Sequence, residues 1–165
     1  MMERDSGDVG VQSDEETYRK HAEELIRFAT FLVGPSDAAD VLAEAVSRAF
    51  YSSLWPHVAN RRAYLYRSVL NQGRRFRRSE FRRRARESSV APSEVIESIT
   101  PMPEVVEAVA ALSPRQRAVV YLTYWDDLGP PRIAELLEIS EGSVRRHLAR
   151  ARATLRRRLH DQHFG

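Results

Sequence analysis

At 165 residues, 42% hydrophobic and 30% charged, the chain has room for one ordinary domain or two small ones and enough apolar material for a core. It has no cysteine, which excludes disulfides, thiolate metal sites and thiol redox chemistry, and no apolar run approaches the roughly 18–20 residues that a bilayer span needs. The net charge of +3 conceals a segregation: residues 1–17 hold six acids and one arginine, and 61–86 hold eleven arginines and one glutamate. Residues 87–107 hold five glutamates and no base, and 132–160 eight arginines and three glutamates. Two basic blocks with an acidic one between them imply two polyanion-binding modules and a linker.

Residues 1–16 are acidic, polar and without an apolar stretch, so a disordered tail is expected there, not a signal peptide, and the protein is expected to be cytoplasmic. Helical periodicity begins at Tyr18, with Ala22, Leu25, Ile26, Ala29 and Leu32 spaced by three and four. Gly34-Pro35 ends that helix, and Ser36 is placed to cap the next. The following segment, "DAADVLAEAVSRAF" (37–50), carries the cleanest stripe: Ala38, Val41, Leu42, Ala45, Val46, Ala49 and Phe50. Asp40, Glu44 and Arg48, four apart, form a charged row beside it.

A loop containing Trp55-Pro56 leads into "AYLYRSVLNQGRRFRR", where Leu65, Tyr66, Val69 and Leu70 make an apolar face and arginines interleave with Tyr64, Phe76 and Phe81. The aperiodic Ser/Pro/Glu stretch over 87–102 reads as a linker. A helix follows from Pro103, and Ser113, Pro114 and Gln116 provide an N-cap, a first-turn proline and a capping-box glutamine for another. After the break at "DLGPP" comes helix, tight turn, helix, and no strand pattern appears anywhere. The fold class expected is all-α: two small helical domains, 17–86 and 103–165, joined by an acidic flexible linker, the second containing a helix-turn-helix.

In that last motif Ile133, Ala134 and Leu137 pack the first helix, Ile139 sits in the turn with Ser140 and Gly142 at the junction, and Val144 and Leu148 anchor the second. Helix-turn-helix spacing sends the second helix into the major groove, and burial of Ala151 and Leu155 leaves Arg145, Arg146, His147, Ala149 and Arg150 outside. Arginines there can bind phosphate or read guanine. A solvated basic face accounts for the same arginines, and the upstream turn weighs against it.

From Tyr18 to Leu159 the chain resembles the extracytoplasmic-function (ECF) sigma factors of bacterial RNA polymerase. "YRKHAEELIRFATFLVG" is similar to the family's first helix, and "DAADVLAEAVSRAF" to the helix that docks on the polymerase β′ clamp helices. "AYLYRSVLNQGRR" resembles the segment that captures the melted −10 strand, and the stretch from "LSPRQRAVVYLTYW" to "ARATLRRRL" the −35-binding domain. The resemblance assigns Asp40, Glu44 and Arg48 to polymerase binding; without it, a carboxylate row pairing with Arg48 and solubilising the helix would suffice. It assigns Trp55, Asn60, Arg61, Tyr64, Arg67, Asn71, Arg74 and Arg75 to the −10 strand, where cationic grooves with aromatic groups hold unstacked bases. Arg115, Arg132, Ser143, Arg145, Arg146, His147, Ala149 and Arg150 go to the −35 duplex.

The partners implied are core RNA polymerase, through the β′ clamp helices and the β flap, and promoter DNA, with an anti-sigma factor as a further candidate. No cofactor, metal or catalytic residue is expected: the five histidines lack metal spacing, and there is no phosphate-cradling glycine loop. The acidic linker resembles one that threads polymerase channels, although a plain solvated tether fits its composition equally well. Ala39, Ala43 and Val46 depart from the family's usual glutamate, glutamine and phenylalanine, and Pro130-Pro131-Arg132 from its usual residues before Ile-Ala. The competing reading is a helix-turn-helix transcription regulator that dimerises through its N-terminal helices and never meets core polymerase. A membrane-surface protein is a third, disfavoured because the basic helix lacks the Trp/Phe/Leu density of an interfacial anchor.

Overall fold

The computed structural model describes residues 13–87 and 102–161, so residues 1–12 of the expected tail and 88–101 of the linker expected over 87–102 lie outside the described residues. Within them every element is helical: α1 (Asp14–Val33), α2 (Pro35–Phe50), a short 3₁₀ turn (Trp55–His57), α3 (Arg61–Arg86), α4 (Pro103–Ala110), α5 (Pro114–Tyr124), α6 (Pro130–Leu137) and α7 (Glu141–Asp161).

Helix α1 starts four residues before the apolar periodicity does. Ser13 Oγ accepts the Glu16 N–H at 3.2 Å while Glu16 Oε2 accepts the Ser13 N–H at 3.1 Å, a complete capping box. Asp14, Glu15 and Glu16 thus sit at the positive end of a helix dipole, and the last of the expected acidic tail is a helix start. Gly34, at φ +92°, both ends α1 and begins α2; Pro35 occupies the first turn, and Ser36 lies inside the helix instead of capping it.

Helices α1, α2 and α3 pack on one another around Leu25, Phe28, Leu32, Leu42, Leu65, Tyr66 and Val69, all buried. Ala38, Ala45 and Ala49 keep the α2 side of this core small, which lets the neighbouring helices approach closely. In the second half α7 is the central helix, packing against α4, α5 and α6, and α6 also touches α5. Helix α5 is buried continuously from Arg117 to Leu122, because α1 and α3 cover the face that α6 and α7 leave open. The helices of α1–α3 and those of α4–α7 are packed together, sharing one apolar core.

Candidate polymerase and promoter interfaces

Helix α2 turns Val41, Leu42, Ala45, Val46 and Ala49 inward and presents Ala39, Asp40, Ala43, Glu44 and Arg48 outward. Glu44 Oε1 accepts from Arg48 Nε at 2.6 Å, while Asp40 stands exposed without an ion-pair partner among the described residues. Val46 belongs to the core, so its departure from phenylalanine bears on packing; Ala39 and Ala43 lie on the exposed acidic face itself.

The eight candidate −10 residues separate into different roles. Trp55 is only 3% exposed: its indole N–H donates to Asp14 Oδ1 at 2.7 Å, its ring lies against Phe50 and Tyr64, and the Arg61 guanidinium sits 4.9 Å above it. In this arrangement burial removes the Trp55 ring from any DNA-facing surface. Asn60 caps α3, its Oδ1 accepting the Ala63 N–H at 2.9 Å. Tyr64 is half-buried and donates to Ser52 Oγ at 3.2 Å. Arg67 reaches into the other half of the molecule, with Nε 3.3 Å from Glu138 and Nη1 donating to the Leu136 carbonyl at 3.5 Å. Asn71 and Arg75 are exposed, and Arg74 is half-buried in a cleft against α5. Burial, with Arg115 and Arg78 nearby, pushes the Arg74 guanidinium below its usual value.

The helix-turn-helix is built as its spacing requires. Gly129 caps α6, and Pro130 and Pro131 occupy the first turn, where their missing N–H groups cost nothing. Glu138, in the left-handed conformation at φ +56°, ends α6, and Ser140 Oγ accepts the Ser143 N–H at 3.1 Å to start α7. Ile133, Val144 and Ala151 are fully buried at the helix crossing. Arg145, Arg146, Ala149 and Arg150 face outward; Arg145 pairs with Glu141 at 3.2 Å and Arg132 with Glu135 at 2.9 Å. Ser143 is half-buried and hydrogen-bonded to Ser140 at 2.9 Å, and Arg115 is exposed. His147 points into the cleft, where burial and then Arg115, Arg146 and Arg150 lower its pKa.

Several important residues were not singled out from the sequence. Arg117 is 6% exposed and, among the described residues, has no carboxylate partner. It donates instead to three carbonyls: Leu32 at the end of α1 (2.6 Å), and Val109 (3.0 Å) and Ala110 (2.6 Å) at the end of α4. Both are negative ends of helix dipoles. Burial, with Arg77 nearby, still brings its pKa down to about 10. The available signal was one cation at the start of the run "RAVVYL", inside a helix apolar on every side. Around Tyr66, Glu24 accepts from Arg62 (2.8 Å) and from the Tyr66 hydroxyl (3.1 Å), which also lies 3.4 Å from Asp126 of the second half. Burial raises the Glu24 carboxyl, but hydrogen bonds from Arg62 and His21 and the Arg62 charge outweigh it, leaving it below the usual value. Phe28 and Phe31 of α1 meet Tyr121 at 5.5 and 5.4 Å between ring centres, and Trp125 extends the stack 5.0 Å from Phe31.

Comparison with known proteins names this arrangement. The family model described as Sigma-70, region 4 matches residues 103–155. Over 159 residues the chain is 33% identical to the RNA polymerase sigma-E factor of Streptomyces coelicolor, covering 88% of this chain and 85% of that protein. The Streptomyces antibioticus sigma-E factor is 32% identical over 158 residues, covering 88% of this chain and 83% of that one. Among solved structures, the sigma factor RpoE of Bartonella quintana, in complex with the anti-sigma factor NepR, superposes with a TM-score of 0.60 at 20% identity, over 88% of this chain and 95% of that one. CnrH, in complex with the cytosolic domain of CnrY, gives a TM-score of 0.60 at 24% identity, over 93% of this chain and 91% of that one. The two structures speak for the fold. The Streptomyces relatives match across both halves, including the helices that a stand-alone regulator would have no reason to share, and so the chain belongs to the ECF sigma factors of bacterial RNA polymerase.

Proposed function

We propose a division of labour within this sigma factor: the exposed face of α2, with Asp40, Glu44 and Arg48, docks on the β′ clamp helices, α3 captures the −10 strand, and α7 reads the −35 duplex. The polymerase performs the chemistry, the sigma factor acts in the cytoplasm without catalysis of its own, and an anti-sigma factor is a regulatory partner. The observation that carries this reading is α7: Val144, Leu148 and Ala151 are inside while Arg145, Arg146, Ala149 and Arg150 stand outside, on the second helix of a helix-turn-helix. On α3 the reading rests on Asn71, Arg74 and Arg75, with Arg67 released from Glu138; Trp55 and Asn60 support the site by holding the loop and the helix start. Because Arg67 is engaged by α6 and its following turn, full use of α3 requires the two halves to separate.

The test is co-elution with core RNA polymerase. The Asp40→Ala/Glu44→Ala double variant is expected to lose it while melting at nearly the wild-type temperature, since exposed ion pairs of this kind contribute about 0.3–0.5 kcal/mol. Undiminished co-elution of the variant would move the docking surface off α2.

A further inference from the structure

The seam between the halves opens into a cleft of about 460 Å³ with walls from both: Arg74, Arg77, Arg78 and Arg82 of α3 on one side, Arg115 and His147 of the second half on the other. Phe81, three-quarters exposed, also lines it. Elsewhere on the surface some arginines find carboxylates, with Arg19, Arg27, Arg48, Arg83, Arg132 and Arg145 in ion pairs, while others, such as those near the end of α7, stand apart from one another in solvent. Among the described residues no acid lines the cleft, and none of its five arginines has an ion-pair partner.

Guanidinium groups held together without counter-charge form a site for a multivalent anion, and phosphate matches their planar fork. The volume falls in the range of roughly 300–1,000 Å³ typical of small-ligand clefts. A cleft of this volume takes a few phosphate groups and not the body of a duplex. The capping box already uses the Ser113 and Gln116 N–H groups, so the arginines, and not the helix end, are the ligands. We propose that this cleft binds a small oligophosphate, inorganic or carried by a nucleotide, which bridges the two halves and holds them packed. Since each half supplies one wall, the site exists only in the packed arrangement, and oligophosphate competes with promoter engagement. The inference goes beyond the promoter reading and is tested on the free chain.

Isothermal titration of the full chain with sodium tripolyphosphate at about 0.15 M salt, where the Debye length is about 8 Å, is expected to show one saturable site. Arg78→Ala and Arg115→Ala, one on each wall, should each weaken binding about tenfold, the scale of one lost charge-assisted contact. The Arg156→Ala/Arg158→Ala variant, which removes two charges elsewhere on α7, should bind as the wild type does, and thermal melts establish that all three variants are folded. Non-saturable binding, an equal loss in the 156/158 variant, or retention of affinity in Arg115→Ala overturns the proposal. Adenosine triphosphate separates the two sources: an advantage over tripolyphosphate that disappears in Phe81→Ala assigns a nucleotide, and equal or weaker binding assigns the inorganic anion. Co-elution of Arg78→Ala with core polymerase is measured separately, so failure of the anion site and failure of the polymerase assignment are distinguishable.

Discussion

Arg117 shows how much one buried side chain can hold. Its guanidinium closes the carbonyl ends of α1 and α4 at once, with three hydrogen bonds. Arg117→Met keeps the apolar stem and strands the three carbonyls, so unfolding free energy measured in urea should fall by about 3 kcal/mol. Trp55→Phe keeps an aromatic ring but loses the bond to Asp14 and part of the buried indole surface, and should cost about 1–3 kcal/mol in the same assay. Around Tyr66, two carboxyls pull stability in opposite directions with pH. Glu24 has a folded pKa below its ordinary 4.5, so its stabilisation is complete above that value and is lost as pH falls through the lower folded one. Asp126 is raised above 3.8 by burial, more than the Tyr66 bond and Arg62 offset; its contribution is complete below 3.8 and is lost as pH rises through the folded value. Urea midpoints followed from acid to neutral pH should therefore show Glu24→Gln losing stability at neutral pH, with a flatter acid limb. Asp126→Asn should gain stability at neutral pH.

Individual helices carry their own signals. Gly73 lies inside α3, where an added Cβ would meet Leu32 and Val33 at 3.6 Å, ordinary contact distance. Gly73→Ala should accordingly raise stability by about 0.5–1 kcal/mol, through helix propensity and a less free unfolded chain. On α7, Arg145→Ala and Arg146→Ala should reduce transcription from −35-dependent promoters and leave core polymerase binding intact. Equal losses on promoters with and without that element would show that the two arginines supply only sequence-blind attraction. The helix start at Ser113-Pro114 was legible from its capping box, whereas at Gly34-Pro35 and Gly129-Pro130-Pro131 prolines read as part of a break lie in the first helical turn. The start of α1 was misplaced because an acidic first turn has the composition of a tail, and only the pairing of Ser13 with Glu16 identifies it as a helix start.

Over the whole molecule, the bonds that join the halves differ in strength. Arg67–Glu138 is an ion pair whose acid is 76% exposed, worth about 0–1 kcal/mol. Arg117, by contrast, is buried among carbonyls, and the Phe28–Tyr121–Phe31 cluster removes aromatic surface from water. Charge reversal by Glu138→Arg should thus leave the radius of gyration in solution scattering nearly unchanged, whereas Arg117→Met should increase it. An equal response to both would mean that surface charge, not burial, holds the seam.

The sequence by itself determined the all-helical class, the helix-turn-helix, the order of the elements and the outward face of α7. These depend on periodicities of three and four residues, on caps and on turns, which are local. Only the tertiary structure decided that the halves share a core, that Trp55 is a wall and not a surface, that Arg67 crosses to α6, and that arginines from α3 and α5 face one another across a cleft. Those outcomes join residues far apart in the chain, and a solvated arginine, a carbonyl-bound one and a cleft-lining one are the same letter until packing distributes them.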